Sequence, residues 1–137
     1  MPISRGQLSN VIQKVSTALA ESHKTLQKML PSQAVVNTDE TGHKTNGQPY
    51  WTWCFRAEIF TLFQIDRSRG SQVLRAVLGD DFAGTLGCDY FSAYRKYMGD
   101  FNVSLQFCLA HLIRDVKFLA TLPEPATVAY GQRMLED

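Results

Sequence analysis

Apolar positions along this chain fall into two regimes, a helical one before Pro31 and a strand-like one after it. From Ser4 to about Leu30 the residues Leu8, Val11, Ile12, Val15, Leu19, Leu26, Met29 and Leu30 recur mostly at steps of three and four. Ser4 followed by Gln7 offers a capping box and Pro31 ends the run, so the pattern predicts a long amphipathic helix. Its opening, Ile3 to Asn10, also suits the reading helix of a helix-turn-helix, a role that needs a preceding helix. A packing or linker helix over residues 1–31, set apart from a domain over 32–137, is the simpler expectation.

Beyond Pro31 the period shortens to two. Residues 34–41 read as a first strand and 50–56 as a second, with Trp51, Trp53 and Phe55 on one face and Tyr50, Thr52, Cys54 and Arg56 on the other. Residues 60–66 make a third strand. The segment Gly42 to Gln48, containing Asn46-Gly47, reads as a hairpin loop. A narrow stripe of Val73, Leu74, Val77 and Leu78 then predicts a helix stopped by Gly79, followed by a fourth strand at 84–89. Ser92 to Met98 reads as a short helix with Tyr94, Tyr97 and Met98 facing inward. A fifth strand alternates Val103, Leu105 and Phe107 with Ser104, Gln106 and Cys108. Leu112, Ile113, Val116 and Leu119 mark a further helix. Pro123 and Pro125 break the pattern, and a helix-like segment from Tyr130 stops at Asp137.

The resulting order, βββαβαβα, is the ribonuclease-H-like arrangement: an α/β fold with a mixed five-stranded sheet in which the first strand lies beside the fourth. Asp39 and Asp89 then project near the carboxyl ends of adjacent parallel strands, where ligands of open α/β sheets collect. A carboxylate closing an apolar strand pays desolvation unless a cation neutralises it, so two such acids side by side point to a shared divalent ion and to phosphodiester chemistry.

Bulk properties narrow the picture little. At 137 residues, 45% hydrophobic and 20% charged, the chain suits one soluble domain with a real core. Fourteen basic against thirteen acidic residues leave a net charge of +1, so a nucleic-acid surface must come from local clustering. Three cysteines, an odd number, and the lack of a signal-like or membrane-spanning stretch fit a reduced, cytoplasmic protein without a membrane partner. Cys108-x-x-His111 with Cys88 invites a zinc reading, but the fourth ligand would have to be the distant Cys54; buried small cysteines are the more ordinary expectation.

Six stretches in order carry a family likeness: Asp39-Glu40-Thr41-Gly42, Trp51-Thr52-Trp53, Ile65 to Gly70, Leu78 to Gly84, Asp89 to Tyr94, and Cys108 to Asp115. Together, over about Ser4 to Ala120, they resemble the transposases of the insertion sequence 66 family. The resemblance implies a DDE transposase catalytic domain acting with magnesium, or manganese, on transposon ends and target DNA in the bacterial cytoplasm, associated with the nucleoid. Asp39 matches the first catalytic acid and metal ligand, and Asp89 the second. The family's third acid, a glutamate, lies well downstream of the Cys-x-x-His segment, so this chain is expected to bind metal weakly and to transfer strands poorly.

The competing expectation is an inactive truncated copy that binds DNA or pairs with itself or with a full-length transposase; a third is another ribonuclease-H-like nuclease, acting on RNA. Lys44, Arg67, Arg69 and His111, with His43, are the expected DNA contacts, since the third strand runs parallel to the first and delivers its arginines to the same edge. Glu40, alternating away from Asp39, is expected at a surface or interface. Glu124, between two prolines, and Glu136 lack a rigid setting for a third acid. Asp66, Asp80, Asp81 and Asp115 suit turns and helix surfaces.

Overall fold

The computed structural model describes residues 3–136. Helix α1 (Arg5–Met29) begins with the capping box: Ser4 Oγ accepts the Gln7 N–H at 3.1 Å, and the Gln7 side chain accepts the Ser4 N–H at 2.9 Å. Only its last turns meet the body. Leu26 packs on the core, and Leu30, in a 3-10 turn over Leu30–Ser32, is fully buried. A ring nitrogen of His23 lies 3.0 Å from the Phe63 carbonyl oxygen. Leu8, Val11, Ile12, Val15 and Leu19 stay more than half exposed, so the amphipathic stripe exists but is uncovered within the described residues.

An antiparallel meander follows, β1 (Val35–Thr45), β2 (Gln48–Arg56) and β3 (Thr61–Asp66). The expected hairpin loop is shorter than its composition suggests. Both strands run on until only Asn46 and Gly47 separate them, each with positive φ (51° and 76°), the two-residue turn whose twist matches paired strands. Then come α2 (Ser71–Leu78), β4 (Thr85–Cys88), α3 (Ser92–Phe101), β5 (Ser104–Phe107), α4 (Leu109–Leu119) and α5 (Pro125–Glu136). The sheet order is β3-β2-β1-β4-β5, with β4 parallel to β1 and to β5. That is the ribonuclease-H-like mixed sheet.

One face of this sheet is closed. Val36, Trp53, Phe55, Leu62 and Leu86 meet Val73, Leu74, Val77 and Leu78 of α2 and Tyr94 and Tyr97 of α3. Each such side chain taken out of water contributes about 1.5–3 kcal/mol before chain entropy is charged against it. Trp53 also donates its indole N–H to the Ser68 carbonyl at 3.1 Å, tying β2 to the segment after β3. The other face is open: Val35, Phe63 and Ile65 are exposed there.

Two expectations about facing need correction. Met98 is not inward; α3 continues to Phe101, and Met98 falls on its wetter side. In α4 only Val116 is buried, because this helix packs against α5 more than against the sheet, leaving Leu112 and Ile113 exposed. Pro125 does not break a helix but starts α5, at a position where its missing N–H costs nothing.

Candidate active site

Burial along β1 alternates strictly from Val35 to Glu40, so Val36, Thr38 and Glu40 enter the closed side while Val35, Asn37 and Asp39 stand on the open one. The parallel ladder to β4 pairs Asn37 with Gly87, and the Asn37 amide occupies the space a side chain on Gly87 would fill. The ladder ends at this pair, two residues before Asp39 in β1 and two before Asp89, the residue that follows β4. Each acid commits one oxygen locally. Asp39 Oδ1 accepts the Glu40 N–H at 3.0 Å, and Asp89 Oδ1 accepts the Phe91 N–H at 2.8 Å. Their second oxygens have no hydrogen-bond partner among the described residues.

A cleft of about 540 Å³ opens on this face between the sheet and the start of α4. Asn37, Asp39, Cys54, Arg56, Gln106 and His111 are on its wall; Asp89 is not. Asn37, Arg56 and Gln106 join the cleft without having been expected there, although alternation along β2 already placed Arg56 on the same face as Cys54. The Asp39 and Cys54 positions are paired across the β1–β2 ladder. Partial burial, and then the charge of Asp39, push the Cys54 thiol up from its ordinary value.

At the other wall Cys108 caps the N-terminus of α4, and its carbonyl accepts the His111 N–H at 3.2 Å. The backbone N–H groups of His111 and Ala110 around its sulfur, with the nearby His111 ring, lower the Cys108 thiol. The His111 Nδ1 atom is shielded from solvent without a hydrogen-bond partner. Cys88 borders the same cleft, but its side chain is buried with the core, where burial, followed by the charges of Asp89 and Glu40, pushes its thiol up to about 12. All three cysteines are free, and among the described residues no three His, Cys, Asp or Glu side chains are grouped to hold a metal ion.

Behind Asp39 the closed face differs in kind. Glu40 is not a surface residue: its side chain is 1% exposed. Glu40 Oε1 accepts the Arg69 guanidinium at 2.8 Å from Nε and 2.7 Å from Nη2, while Oε2 accepts the Tyr94 hydroxyl. Arg69 therefore does not extend toward a phosphate. Its guanidinium is held by Glu40 and lies over the rings of Trp51 and Phe91.

The remaining expected DNA contacts fare unequally. Lys44 is exposed near the hairpin tip, in the strand rather than in a loop, and His43 beside it stacks on Tyr50. Arg67 is exposed and donates from Nε to the Tyr50 hydroxyl at 3.2 Å. Asp66 accepts the Ser68 N–H, Asp80 pairs with Arg75, and Asp115 lies 3.9 Å from Arg114, all structural placements. Glu124 accepts from Thr127 at the start of α5, and Glu136 is exposed at its end.

Five strands in this order define a ribonuclease-H-like domain, with Asp39 inside β1 and Asp89 just past the end of the neighbouring parallel β4 as the candidate cation ligands. The chain belongs to the transposase IS66 family, whose model matches residues 1–135. No curated protein is significantly similar to it. Among solved structures, a chain of the simian T-cell lymphotropic virus intasome in complex with PP2A regulatory subunit B56 gamma is 12% identical, with a TM-score of 0.43 over 75% of this chain and 48% of that one. The HTLV-2 integrase catalytic core domain in complex with magnesium is 12% identical, with a TM-score of 0.42 over 74% and 83%. The chain thus spans about half the length of the intasome chain. The assignment rests on the family match. No described helix is long and apolar enough to cross a membrane.

Proposed function

We propose that this chain is part of a DNA transposase catalytic domain, with Asp39 and Asp89 holding a divalent cation at the open face of the sheet. The observation that supports this reading is the parallel β1–β4 ladder, whose last pair, Asn37 with Gly87, lies two residues before each acid on neighbouring strands. Each keeps a carboxylate oxygen without a protein partner, and two hard oxygens suit Mg²⁺ or Mn²⁺, which keeps most of its waters and takes one or two carboxylates plus substrate phosphate oxygens. When bound, such an ion polarises a phosphoryl oxygen and lowers the pKa of a coordinated water or hydroxyl.

The chain's own residues supply orientation. The Glu40 and Phe91 N–H groups hold one oxygen of each acid and leave the other without a hydrogen bond. Arg56, on the cleft wall with Asp39, and Lys44 and Arg67 near the carboxyl edge offer positive charge to a phosphodiester backbone, and His111 borders the same cleft. Since no third carboxylate joins the pair among the described residues, cation binding should be weak and strand transfer by this chain alone slight or nil. Association with DNA, with itself or with a full-length transposase belongs to the same proposal, as does a cytoplasmic, nucleoid-associated setting.

The test is calorimetric titration of Mn²⁺ and Mg²⁺ into the 137-residue protein and its Asp39→Ala and Asp89→Ala variants. Weak binding lost in both variants supports a shared site; three identical titrations mean that the aspartates only close strands. Magnesium-dependent DNA joining by the wild-type chain, abolished by Asp39→Ala, would overturn the expected lack of strand transfer.

A further inference from the structure

One guanidinium touches the neighbourhood of both acids without reaching either. Arg69 leaves β3 through a turn shaped by its own side chains: Asp66 accepts the Ser68 N–H at 2.7 Å, and Ser68 Oγ accepts the Gly70 N–H at 2.9 Å. This delivers the Arg69 side chain to the closed side, where Cζ lies 4.6 Å from the Trp51 ring centre and 3.8 Å from that of Phe91. Two of its nitrogens meet Glu40 Oε1, and Tyr94 of α3 donates to Oε2. Three parts of the chain, β1, β2 and the turn after β4, therefore converge on one cation, and α3 joins them through Glu40.

Two of those partners are the residues that orient the acids. Glu40 follows Asp39 and gives it a backbone N–H; Phe91 gives its N–H to Asp89. Fixing Glu40 by a forked ion pair and Phe91 by stacking fixes the peptide groups that aim the two carboxylates. We propose that Arg69 is a positioning residue, setting the spacing and direction of Asp39 and Asp89 from the opposite face of the sheet. The inference rests on the reading of those two acids as a cation pair.

Lysine cannot take over this task. It keeps the charge that Glu40 needs, but a point charge on a flexible stem neither donates as a planar fork nor stacks against two rings. Arg69→Lys is thus expected to keep the fold and lose the alignment. Metal sites whose supporting partners are removed typically lose roughly 10- to 100-fold in affinity, and a loss in that range is expected here.

The experiment is Mn²⁺ titration of the full chain followed by paramagnetic broadening of backbone amide NMR signals, comparing wild type, Arg69→Lys, Asp39→Asn and, as a remote control, Arg5→Lys. The expected result is wild-type broadening around both Asp39 and Asp89, matched by Arg5→Lys. In Arg69→Lys broadening should be weaker and unequal at the two acids, although amide signals outside the site and the thermal midpoint stay close to wild type. If Arg69→Lys binds Mn²⁺ as wild type does while Asp39→Asn abolishes binding, the positioning role is wrong and the site stands. If Asp39→Asn and wild type broaden alike, the cation reading itself fails and takes the inference with it. Should Arg69→Lys not fold, the Glu40→Gln, Arg69→Met double variant, which strands no buried charge, is titrated in its place and read by the same outcomes.

Discussion

Asp39 and Glu40 are consecutive acids on one strand, yet they meet opposite fates. Glu40 enters the closed face and is neutralised from within, by Arg69 and the Tyr94 hydroxyl; Asp39 stands on the open face with one oxygen unengaged. The strand's two-residue period alone separates them by a sheet's thickness, and what covers each side decides the rest. An acid with an internal cation is a structural member, whereas an acid without one is available to an external ion. The difference teaches that position in a motif does not assign a role until the covered face is known.

The contrast can be broken most forcefully by removing each acid in turn. Glu40→Ala strands a guanidinium and a tyrosine hydroxyl behind the sheet, and loss of one partner of a buried pair costs about 3–5 kcal/mol, here toward the lower end because Arg69 is partly exposed. Asp39→Ala should stay within about 0.5 kcal/mol of wild type, as is usual for an exposed side chain. Urea unfolding of both variants checks this, and equal losses would erase the distinction between the faces.

High pH sharpens it next. Burial, first of all, raises the Cys88 thiol and the Tyr97 hydroxyl to about 12, and it raises the Tyr94 hydroxyl too, with the hydrogen bond to Glu40 contributing. The unfolded chain releases these protons earlier, near pH 9 to 10, so it binds fewer protons than the folded chain above that range. Stability is therefore whole below about pH 9 and falls as pH climbs toward 12. Unfolding midpoints measured across that window should decline, and Cys88→Ala should flatten the decline.

Thiol chemistry offers a smaller contrast. The backbone N–H groups of His111 and Ala110 lower Cys108, whereas burial raises Cys54 and Cys88. Alkylation near pH 8, followed by mass spectrometry, should therefore modify Cys108 first, Cys54 more slowly and Cys88 last. The smallest expected effect is in DNA affinity. Arg56→Ala should reduce the slope of log affinity against log salt by about one, while Arg69→Lys should leave that slope unchanged because its guanidinium faces Glu40.

Much of this architecture was legible in the residues. Alternation in Trp51-Thr52-Trp53-Cys54-Phe55-Arg56 marked a strand with one apolar face, and the change of period after Pro31 marked the start of the sheet. The same alternation separated Glu40 from Asp39. It did not say which face the helices would cover, because that depends on contacts between residues far apart, such as Glu40 with Arg69 and Tyr94. Hence Arg69 read as a surface cation, and Arg56, which lines the cleft, was passed over. Asn46-Gly47 located the hairpin, but the polar residues around it concealed how far both strands continue. Met98 was misplaced because a short helix tolerates more than one choice of inner face.

The most direct test is anomalous diffraction from crystals of this protein grown with Mn²⁺. A single peak between the carboxylates of Asp39 and Asp89 on the open face, with none beside Glu40, is the predicted result. A peak held by Cys108 and His111, or two aspartates too far apart to share an ion, would contradict the account.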